Sequence, residues 1–357
     1  MLRKSFLWIF AIAMILVVVY MLGPKVEKEE LVIQFPDIPT RMQEIENYVN
    51  QREDTVLGLK PDNEAYIVWA DSSNKRKTPY SIVYIHGFGA SPMEGDPVHR
   101  FLAAHFGANL FVTRLPEHGI KRANGMEYLS AQALADAAGE AYQIGKNLGD
   151  SVIVVGTSMG GALTLLLASQ QPEIKAVVVY SPAIRDNGEK LAVLFVPWMK
   201  KIMEWTWMED KVRTQERKGE KEKYWSDKYH INGYQSLAVL MYSMMNKETF
   251  SKIKQPLFLG YYYKNEEEQD FVVSVPQMLK MYEDLGTPER LKRKEAFPDA
   301  GDHVIGSSIT SKDWEGVLFR TIDFLENVAK IPSRADFQQK VNELNELDKE
   351  LNLMNEN

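Results

Sequence analysis

Nearly continuous apolar runs alternate with amphipathic stretches through the middle of this chain. Residues 81–85, 151–155 and 176–180 are apolar along almost their whole length, which is typical of strands buried on both faces of a sheet. The Ala-rich residues 130–148 predict a helix between two of these strands. Strands separated by helices indicate a doubly wound, mostly parallel sheet, so we expect an α/β fold. Similar patterns predict strands at 64–70, 108–113, 256–261 and 291–296, a short helix at 39–50 and a last helix at 314–328.

Residues 185–254 break this alternation. The segment is too long for a crossover between strands and too apolar for a linker, and it contains a charged run at 209–223. We therefore predict a helical cap, or lid, inserted over the carboxyl edge of a catalytic domain formed by residues 61–184 and 255–331. The apolar stretch 191–199 indicates an acyl-chain pocket, a lid that touches lipid, or ordinary cap core.

The chain begins with an apolar segment. Residues 6–22 carry no charged side chain, and these 17 residues lie at the short limit of a membrane-spanning helix. Arg3 and Lys4 precede the segment, which favours a signal-anchor transmembrane helix over residues 1–23 with the catalytic domain on the non-cytoplasmic side. A cleaved signal peptide followed by secretion is the alternative, although the segment does not end in the small residues of a cleavage site.

Two further segments flank the predicted domain. Residues 24–60 are expected to form a charged tether followed by a short helix. Residues 332–357 carry apolar side chains at helical spacing, which predicts a C-terminal helix. We expect this helix to dock on its own domain in preference to a second copy, and the oligomeric state stays open.

Charge and composition exclude several classes of function. The formal net charge of −7 argues against a nucleic-acid partner, which would require a basic face. The chain has no cysteine, which excludes disulfides, thiolate metal sites and a cysteine nucleophile. No cofactor or metal is expected for the chemistry that the remaining motifs indicate.

A serine lies between a predicted buried strand and a predicted helix, within Gly156-Thr157-Ser158-Met159-Gly160. This context is that of a nucleophile elbow, in which a sharp turn exposes the serine at the carboxyl edge of the sheet. Glycine is expected at 156 and 160 because a Cβ at either position would collide with the adjoining strand or helix. The pattern predicts Ser158 as the nucleophile, with the amide of Met159 facing the position where an oxyanion would form.

A nucleophilic serine needs a base and a group that orients this base. Of the six histidines, only His303 lies on a loop late in the chain, after the last predicted strand. From that loop it can reach the elbow, so we predict His303 as the base. We interpret the other histidines as structural residues, with His118 shaping a turn near the site; they are His86, His99, His105, His118 and His230.

The orienting acid is expected in the carboxylate-rich loop at 266–270. Most of such a charged run is solvated surface. Asp270 is preferred because the apolar residues 271–273 would hold its carboxylate inward, whereas the glutamates at 266–268 remain alternatives. Asp302 is a poor candidate, since adjacent side chains rarely turn back on each other.

His86-Gly87-Phe88-Gly89 follows the predicted strand at 81–85. A loop at this place turns under the substrate in enzymes with a nucleophile elbow. Gly87 and Gly89 leave the Phe88 amide free to face the site.

In the order oxyanion loop, nucleophile, acid and histidine, these residues resemble the α/β-hydrolase superfamily. The insertion at 185–254 resembles the cap of its carboxylesterase and monoacylglycerol lipase branch, and the resemblance covers about residues 66–329. It implies a triad of Ser158, Asp270 and His303 and an oxyanion hole formed by the amides of Phe88 and Met159. The loop before the acid is longer than usual in the family, and both terminal segments lie outside its pattern.

The sequence thus predicts a serine hydrolase that cleaves carboxylic esters through an acyl-enzyme, with lipid-like, hydrophobic acyl chains favoured by the apolar cap and by membrane anchoring. Hydrolysis of amides or peptides, as in related serine aminopeptidases, and acyl transfer to an alcohol are the alternatives. A membrane-tethered binding protein on an inactive hydrolase fold is the alternative of another class, which the intact triad candidates disfavour.

Overall fold

The structure, a computed structural model, describes residues 2–334, with side chains described from residue 5 onward. The C-terminal helix predicted at 332–357 therefore lies outside the described residues, apart from residues 332–334, which are not helical. Within the described range the chain forms a central sheet, helices on both of its faces and an inserted cap.

A seven-stranded sheet forms the centre of the molecule. In chain order the strands, two of which belong to the cap, are β1 (Tyr66–Val68), β2 (Thr78–Ile85), β3 (Asn109–Val112), β4 (Gly149–Thr157), β5 (Ala176–Tyr180), β6 (Val212–Thr214), β7 (Lys228–His230), β8 (Leu257–Tyr261) and β9 (Lys292–Ala296). The sheet order is β1-β3-β2-β4-β5-β8-β9. β1 is antiparallel to β3, and all other neighbouring pairs are parallel. The predicted α/β fold with a mostly parallel sheet is therefore confirmed.

Some helices cover both faces of this sheet, and others belong to the N-terminal segment and the cap. In chain order they are α1 (Leu2–Met21), α2 (Met42–Asp54), α3 (Val98–Phe106), α4 (Ala131–Leu148), α5 (Met159–Gln170), α6 (Met199–Thr206), α7 (Glu220–Tyr224), α8 (Ile231–Val239), α9 (Lys247–Lys252), α10 (Val275–Asp284) and α11 (Trp314–Asn327). Successive residues of a strand point to opposite faces. Ile153 and Val155 of β4 accordingly enter one core with α3 and α11, whereas Val152 and Val154 enter another with α4 and α5.

The cap segment between β5 and β8 contains α6 to α9 and the antiparallel pair β6 and β7. The sequence predicted a cap made of helices, so the β-hairpin was not expected. Each of its strands has three residues, which is too short to give a period-two pattern. The amide of Ser226, just before β7, donates a 2.6 Å hydrogen bond to the carbonyl of Gly89. The hairpin thus rests on the loop that follows β2.

The apolar N-terminal segment forms α1, and every side chain from Phe6 to Leu22 is exposed. Among the residues that the structure describes, no helix combines the length and the apolar character needed to cross a membrane. The transmembrane anchor predicted for residues 1–23 is therefore not supported.

Residues 24–35, called the strap below, pack against the domain, although the sequence predicted a charged tether there. Val26, Leu31 and Ile33 are at most 5% exposed. The side chain of Gln170, at the end of α5, accepts a hydrogen bond from the amide of Ile33 and donates one to the carbonyl of Leu31. The strap therefore fixes the N-terminal segment to the helical layer beside the sheet.

Candidate active site

Ser158 lies between β4 and α5 with a backbone conformation that few non-glycine residues adopt. Its φ is 55° and its ψ is −118°, which is strained geometry for a residue with a side chain. The Ser158 amide donates a 2.9 Å hydrogen bond to the carbonyl of Tyr180, which fixes the turn. A Cβ on Gly156 would lie 2.3 Å from the Thr164 hydroxyl, and a Cβ on Gly160 would lie 2.0 Å from the carbonyl oxygen of Ile85. The steric reason expected for both glycines is therefore observed.

His303 and Asp270 meet beside this turn. Nδ1 of His303 lies 2.5 Å from Oδ2 of Asp270. Nε2 of His303 is buried and has no hydrogen-bond partner among the described residues. It lines the same cavity as Ser158. The structure thus brings His303 and Asp270 into contact and places His303 in the wall of the cavity that also contains Ser158.

Backbone amides hold the Asp270 carboxylate in place. The residue is 3% exposed, and its Oδ1 accepts hydrogen bonds from the amides of Val272 and Val273 at 2.9 and 3.0 Å. The expectation that residues 271–273 act as an apolar anchor was wrong for two of the three, because the side chains of Phe271 and Val272 are 58% and 57% exposed. Only the side chain of Val273 is buried.

The environment of His303 favours its protonated form. Burial opposes a charge on this imidazole, but the charge and hydrogen bond of Asp270, assisted by Glu94 and Asp302, raise the pKa of His303 above its usual value. An imidazole in this setting is a stronger base toward a neighbouring hydroxyl than a free one.

The loop after β2 carries the two glycines expected around Phe88. Gly89 has a φ of 76°, and a Cβ there would lie 2.2 Å from the hydroxyl of Tyr229 in the cap. A Cβ on Gly87 would lie 3.0 Å from the Cβ of Ser158, which shows how closely the loop approaches the elbow. Neither the Phe88 amide nor the Met159 amide donates a hydrogen bond within the described chain. Two unpaired donors therefore lie beside Ser158.

A cavity of about 600 Å³ opens above Ser158 between the cap and the carboxyl edge of the sheet. Leu191, Leu237, Met241 and Val273 form an apolar part of its wall. Of the stretch 191–199, which was predicted to shape an acyl pocket, only Leu191 reaches the cavity. The charged and polar part of the wall consists of Glu94, Asp186, Lys190, Arg213, Gln215, Arg217, Lys221 and Asp302.

Glu94 is a cavity residue that the sequence analysis missed. Its Oε2 accepts hydrogen bonds from the Gly87 amide at 2.6 Å and the Tyr84 hydroxyl at 3.2 Å. Burial raises the pKa of the Glu94 carboxyl to about 7, although the Gly87 amide and His303 oppose this shift. No local pattern indicates this role, because a glutamate between methionine and glycine in a loop is usually solvated.

The remaining histidines occupy structural positions. Nε2 of His86 accepts a 3.0 Å hydrogen bond from the amide of Leu115. His118 packs against His86 with ring centroids 5.2 Å apart, and its Nδ1 contacts the carbonyl of Pro116 within the turn. His230 accepts from an amide at the start of α8. None of these side chains lines the cavity above Ser158. In the described part of the chain, no cluster of three or more histidine and carboxylate side chains is placed to hold a metal ion.

The chain is similar to known hydrolases in sequence. Residues 130–285 match the family described as serine aminopeptidase, S33; the match includes Ser158 and Asp270 but ends before His303. The chain is also 30% identical over 106 residues to the thermostable monoacylglycerol lipase of Bacillus sp. (strain H-257), a match that covers 30% of this chain. It spans 42% of that lipase's length.

Solved structures extend the similarity to most of the chain. A structure from the metagenome-derived lipolytic enzymes LipS and LipT superimposes with a TM-score of 0.60 at 19% identity, covering 75% of this chain and 99% of that one. The monoacylglycerol lipase of Paleococcus ferrophilus superimposes with a TM-score of 0.53 at 17% identity, covering 75% of this chain and 100% of that one. The protein therefore has the α/β-hydrolase fold, as the sequence predicted. The predicted resemblance to monoacylglycerol lipases is found in sequence over 106 residues.

Proposed function

We propose that this protein is a serine hydrolase that cleaves carboxylic esters with hydrophobic acyl chains. The observation that carries the proposal is the arrangement of a strained serine, a buried histidine with one free nitrogen and an aspartate 2.5 Å from its other nitrogen, with serine and histidine lining one cavity. These are the parts that acyl transfer by a serine requires. The lipolytic relatives make an ester the first substrate to test.

The reaction proceeds in two steps on Ser158. Its Oγ attacks the ester carbonyl carbon while Nε2 of His303 accepts the hydroxyl proton. His303 then gives this proton to the leaving alcohol as the C–O bond breaks, which leaves an acyl-enzyme. Water attacks the acyl-enzyme with the same proton transfers, and the carboxylic acid leaves. Asp270 holds the imidazole in the required tautomer and stabilises its positive charge.

The amides of Phe88 and Met159 form the oxyanion hole in this proposal. Their hydrogens have no acceptor in the described chain, so they are available to the carbonyl oxygen as it becomes negative. One such donor contributes about 3 kcal/mol to stabilisation of the transition state. Because both donors belong to the backbone, substitution of either side chain should affect the rate less than loss of the Ser158 hydroxyl.

Labelling with a fluorophosphonate tests the nucleophile directly. The wild-type protein should be labelled, and Ser158→Ala should not. Ser307→Ala is a suitable control, because Ser307 is also a buried serine but does not line the cavity. Equal labelling of wild type and Ser158→Ala would place the nucleophile elsewhere, and absence of label in both would favour a non-catalytic binding protein.

The apolar wall predicts the preferred acyl chain. Leu191, Leu237, Met241 and Val273 offer an apolar surface to an acyl group bound at Ser158. Octanoate should therefore be released from its nitrophenyl ester with a higher kcat/KM than acetate. The opposite order would contradict an acyl pocket in this wall.

Peptide hydrolysis is a second candidate, favoured by the family match at residues 130–285. The same triad chemistry can act on an amide. Comparison of nitrophenyl esters with aminoacyl nitroanilides separates the two activities, since an aminopeptidase requires a free amino group on the residue that is released.

We propose that α1 anchors the protein at a membrane, with the catalytic domain on the non-cytoplasmic side, and that secretion after signal-peptide cleavage is the alternative. The exposed apolar side chains of α1 support this localisation, because Trp8 and Met21 are both 71% exposed. A surface of this kind is unfavourable in water. Fractionation of cells that express the full chain, followed by protease accessibility of the catalytic domain, tests both the association and the side.

A further inference from the structure

Two arginines of the cap hairpin line the cavity above Ser158. Arg213 lies in β6, and Arg217 lies in the loop between β6 and β7. The sequence places both in the charged run at 209–223, where most charged side chains are expected to be solvated. Arg213 is indeed exposed and Arg217 is half-buried, and the hairpin places both at the cavity that also contains the nucleophile.

A tyrosine lies beside each of these arginines. Arg217 donates from Nη2 to the hydroxyl of Tyr229 at 2.5 Å and from Nε to the carbonyl of Ser226 at 3.1 Å. Burial raises the pKa of Tyr234, and the nearby positive charge of Arg213 counteracts this rise. A held guanidinium loses less conformational freedom when it binds a ligand than a freely rotating one does.

The same tyrosines pack on the oxyanion loop. The ring of Phe88 lies 5.5 Å from that of Tyr229 and 5.6 Å from that of Tyr234, measured between centroids. The two tyrosine rings are themselves 5.9 Å apart. The hairpin that carries the arginines therefore packs, through Tyr229, on the loop that contains Phe88.

Neither arginine has a carboxylate partner within the described residues. The nearby Asp302 is already paired with Lys221 at 2.9 Å. Asp186 accepts hydrogen bonds from the amide of Leu191 and the hydroxyl of Tyr242. Two uncompensated guanidinium groups thus face a cavity in a chain whose formal net charge is −7.

We propose that the natural substrate is an ester whose alcohol portion carries an anionic group, a phosphate or a carboxylate, which Arg213 and Arg217 bind. A planar guanidinium matches both anions through paired N–H donors. The apolar wall comes from residues outside the hairpin: Leu237 in α8, Met241 in the turn that follows it, Leu191 in a 3-10 helix and Val273 in the loop after β8. The proposal therefore assigns the acyl chain and the anion to different parts of the cavity. This inference rests on the proposed ester hydrolysis and specifies its substrate.

The test compares three octanoyl esters that differ only in the alcohol: 1-octanoylglycerol, 1-octanoylglycerol 3-phosphate and the octanoyl ester of glycerate. The wild-type protein should hydrolyse at least one anionic ester with a kcat/KM about tenfold or more above that of the neutral ester. The anionic ester with the higher kcat/KM shows whether the arginines bind a phosphate or a carboxylate. Added salt should reduce this preference, because it screens charges at the open mouth of the cavity.

Arg213→Gln should reduce the ratio of anionic to neutral kcat/KM by about tenfold, mainly through KM, because the lost contact lies away from the reacting bond. Arg213→Lys should retain part of the preference, since the charge remains but the paired donors do not. Lys218→Gln is the matched control: it removes an exposed cation of the same loop that does not line the cavity, and the ratio should not change.

Two results would overturn the inference: equal kcat/KM for neutral and anionic esters in the wild type, or a ratio that is the same in Arg213→Gln and wild type. Either result would leave ester hydrolysis itself intact. Failure of the proposed function is a different outcome, in which none of the three octanoyl esters is hydrolysed and no fluorophosphonate label is incorporated.

Discussion

Asp270 and His303 form the most tightly defined contact of the candidate site. The aspartate receives two backbone hydrogen bonds on one oxygen and faces the imidazole with the other. This arrangement fixes the direction of the carboxylate before any substrate binds. The orientation of His303 toward Ser158 therefore depends on a single side chain in the loop after β8.

Asp270→Asn should lower kcat/KM by about 10⁴-fold, because the amide cannot hold the imidazole in the required tautomer or stabilise its charge. The substitution also removes the main influence that raises the pKa of His303. The base must be neutral to act, so the acidic limb of the kcat/KM profile should move to lower pH in the variant. Rates of nitrophenyl octanoate hydrolysis across the pH range provide the measurement.

Glu268→Gln is the matched control for this loop. Glu268 is exposed and pairs with Lys264, so the change should alter kcat/KM by less than about twofold. A large loss in Glu268→Gln together with a small loss in Asp270→Asn would reassign the orienting acid.

The raised pKa of Glu94 predicts that the stability of the protein depends on pH. Its pKa is about 7 in the folded protein, against 4.5 for an unperturbed glutamate. Between these values the folded state holds the proton more tightly than the unfolded state, so the free energy of unfolding falls as the pH rises through this window. Above pH 7 the ionised Glu94 lowers the free energy of unfolding by about 3 kcal/mol. Glu94→Gln should flatten the profile, as measured by urea unfolding at pH 5 and pH 8.

The exposed Glu216 provides the comparison, because Glu216→Gln should leave the pH profile of unfolding unchanged. If Glu94→Gln has the same pH profile of unfolding as the wild type, the pKa of the Glu94 carboxyl is not raised in the folded protein.

At the scale of elements, the contact between β2, β4 and α5 determines how the nucleophile is presented. Gly160, in the first turn of α5, lies against the carbonyls at the end of β2. Gly160→Ala should destabilise the protein by roughly 1–3 kcal/mol or displace α5, because its Cβ would meet backbone atoms that cannot rotate away. Urea unfolding and fluorophosphonate labelling measure the two effects.

Gly161→Ala is the neighbouring control. Its Cβ would meet the nearest atoms, in Pro182, at 3.0 Å, so a small shift relieves the contact. A smaller loss of stability and retained labelling are expected there. Equal effects at the two positions would argue against the tight approach of α5 to β2.

The sequence predicted the strands and helices that have a regular pattern of apolar residues. It missed those whose formation depends on contacts with residues distant in the chain. The apolar run at 151–155 is buried on both faces, so its pattern indicates β4 directly. Helices α3 and α10 were not predicted, and neither was the hairpin of β6 and β7. The site followed the same rule: the elbow and His303 are read from motif and order, whereas Glu94 and Arg213 reach the cavity only through tertiary packing.

At the scale of the whole molecule, the strap joins the N-terminal segment to the helical layer and the cap. Leu31 is 1% exposed in the strap, whereas its neighbour Val32 is 55% exposed. Leu31→Ala should therefore lower the free energy of unfolding by about 2–5 kcal/mol, and Val32→Ala should have little effect. Urea unfolding of both variants provides the comparison, and similar stabilities would mean that the strap does not pack in solution.

The strap also continues into contacts between α1 and the cap. The indole nitrogen of Trp198 donates to the carbonyl of Val19, its amide donates to that of Pro24, and the amide of Val26 donates to that of Leu194. Three hydrogen bonds thus join the first helix and the residues after it to residues 194–198 of the cap. A displacement of α1 would therefore move this part of the cap, which is close in sequence to Leu191, and would change the width of the cavity opening.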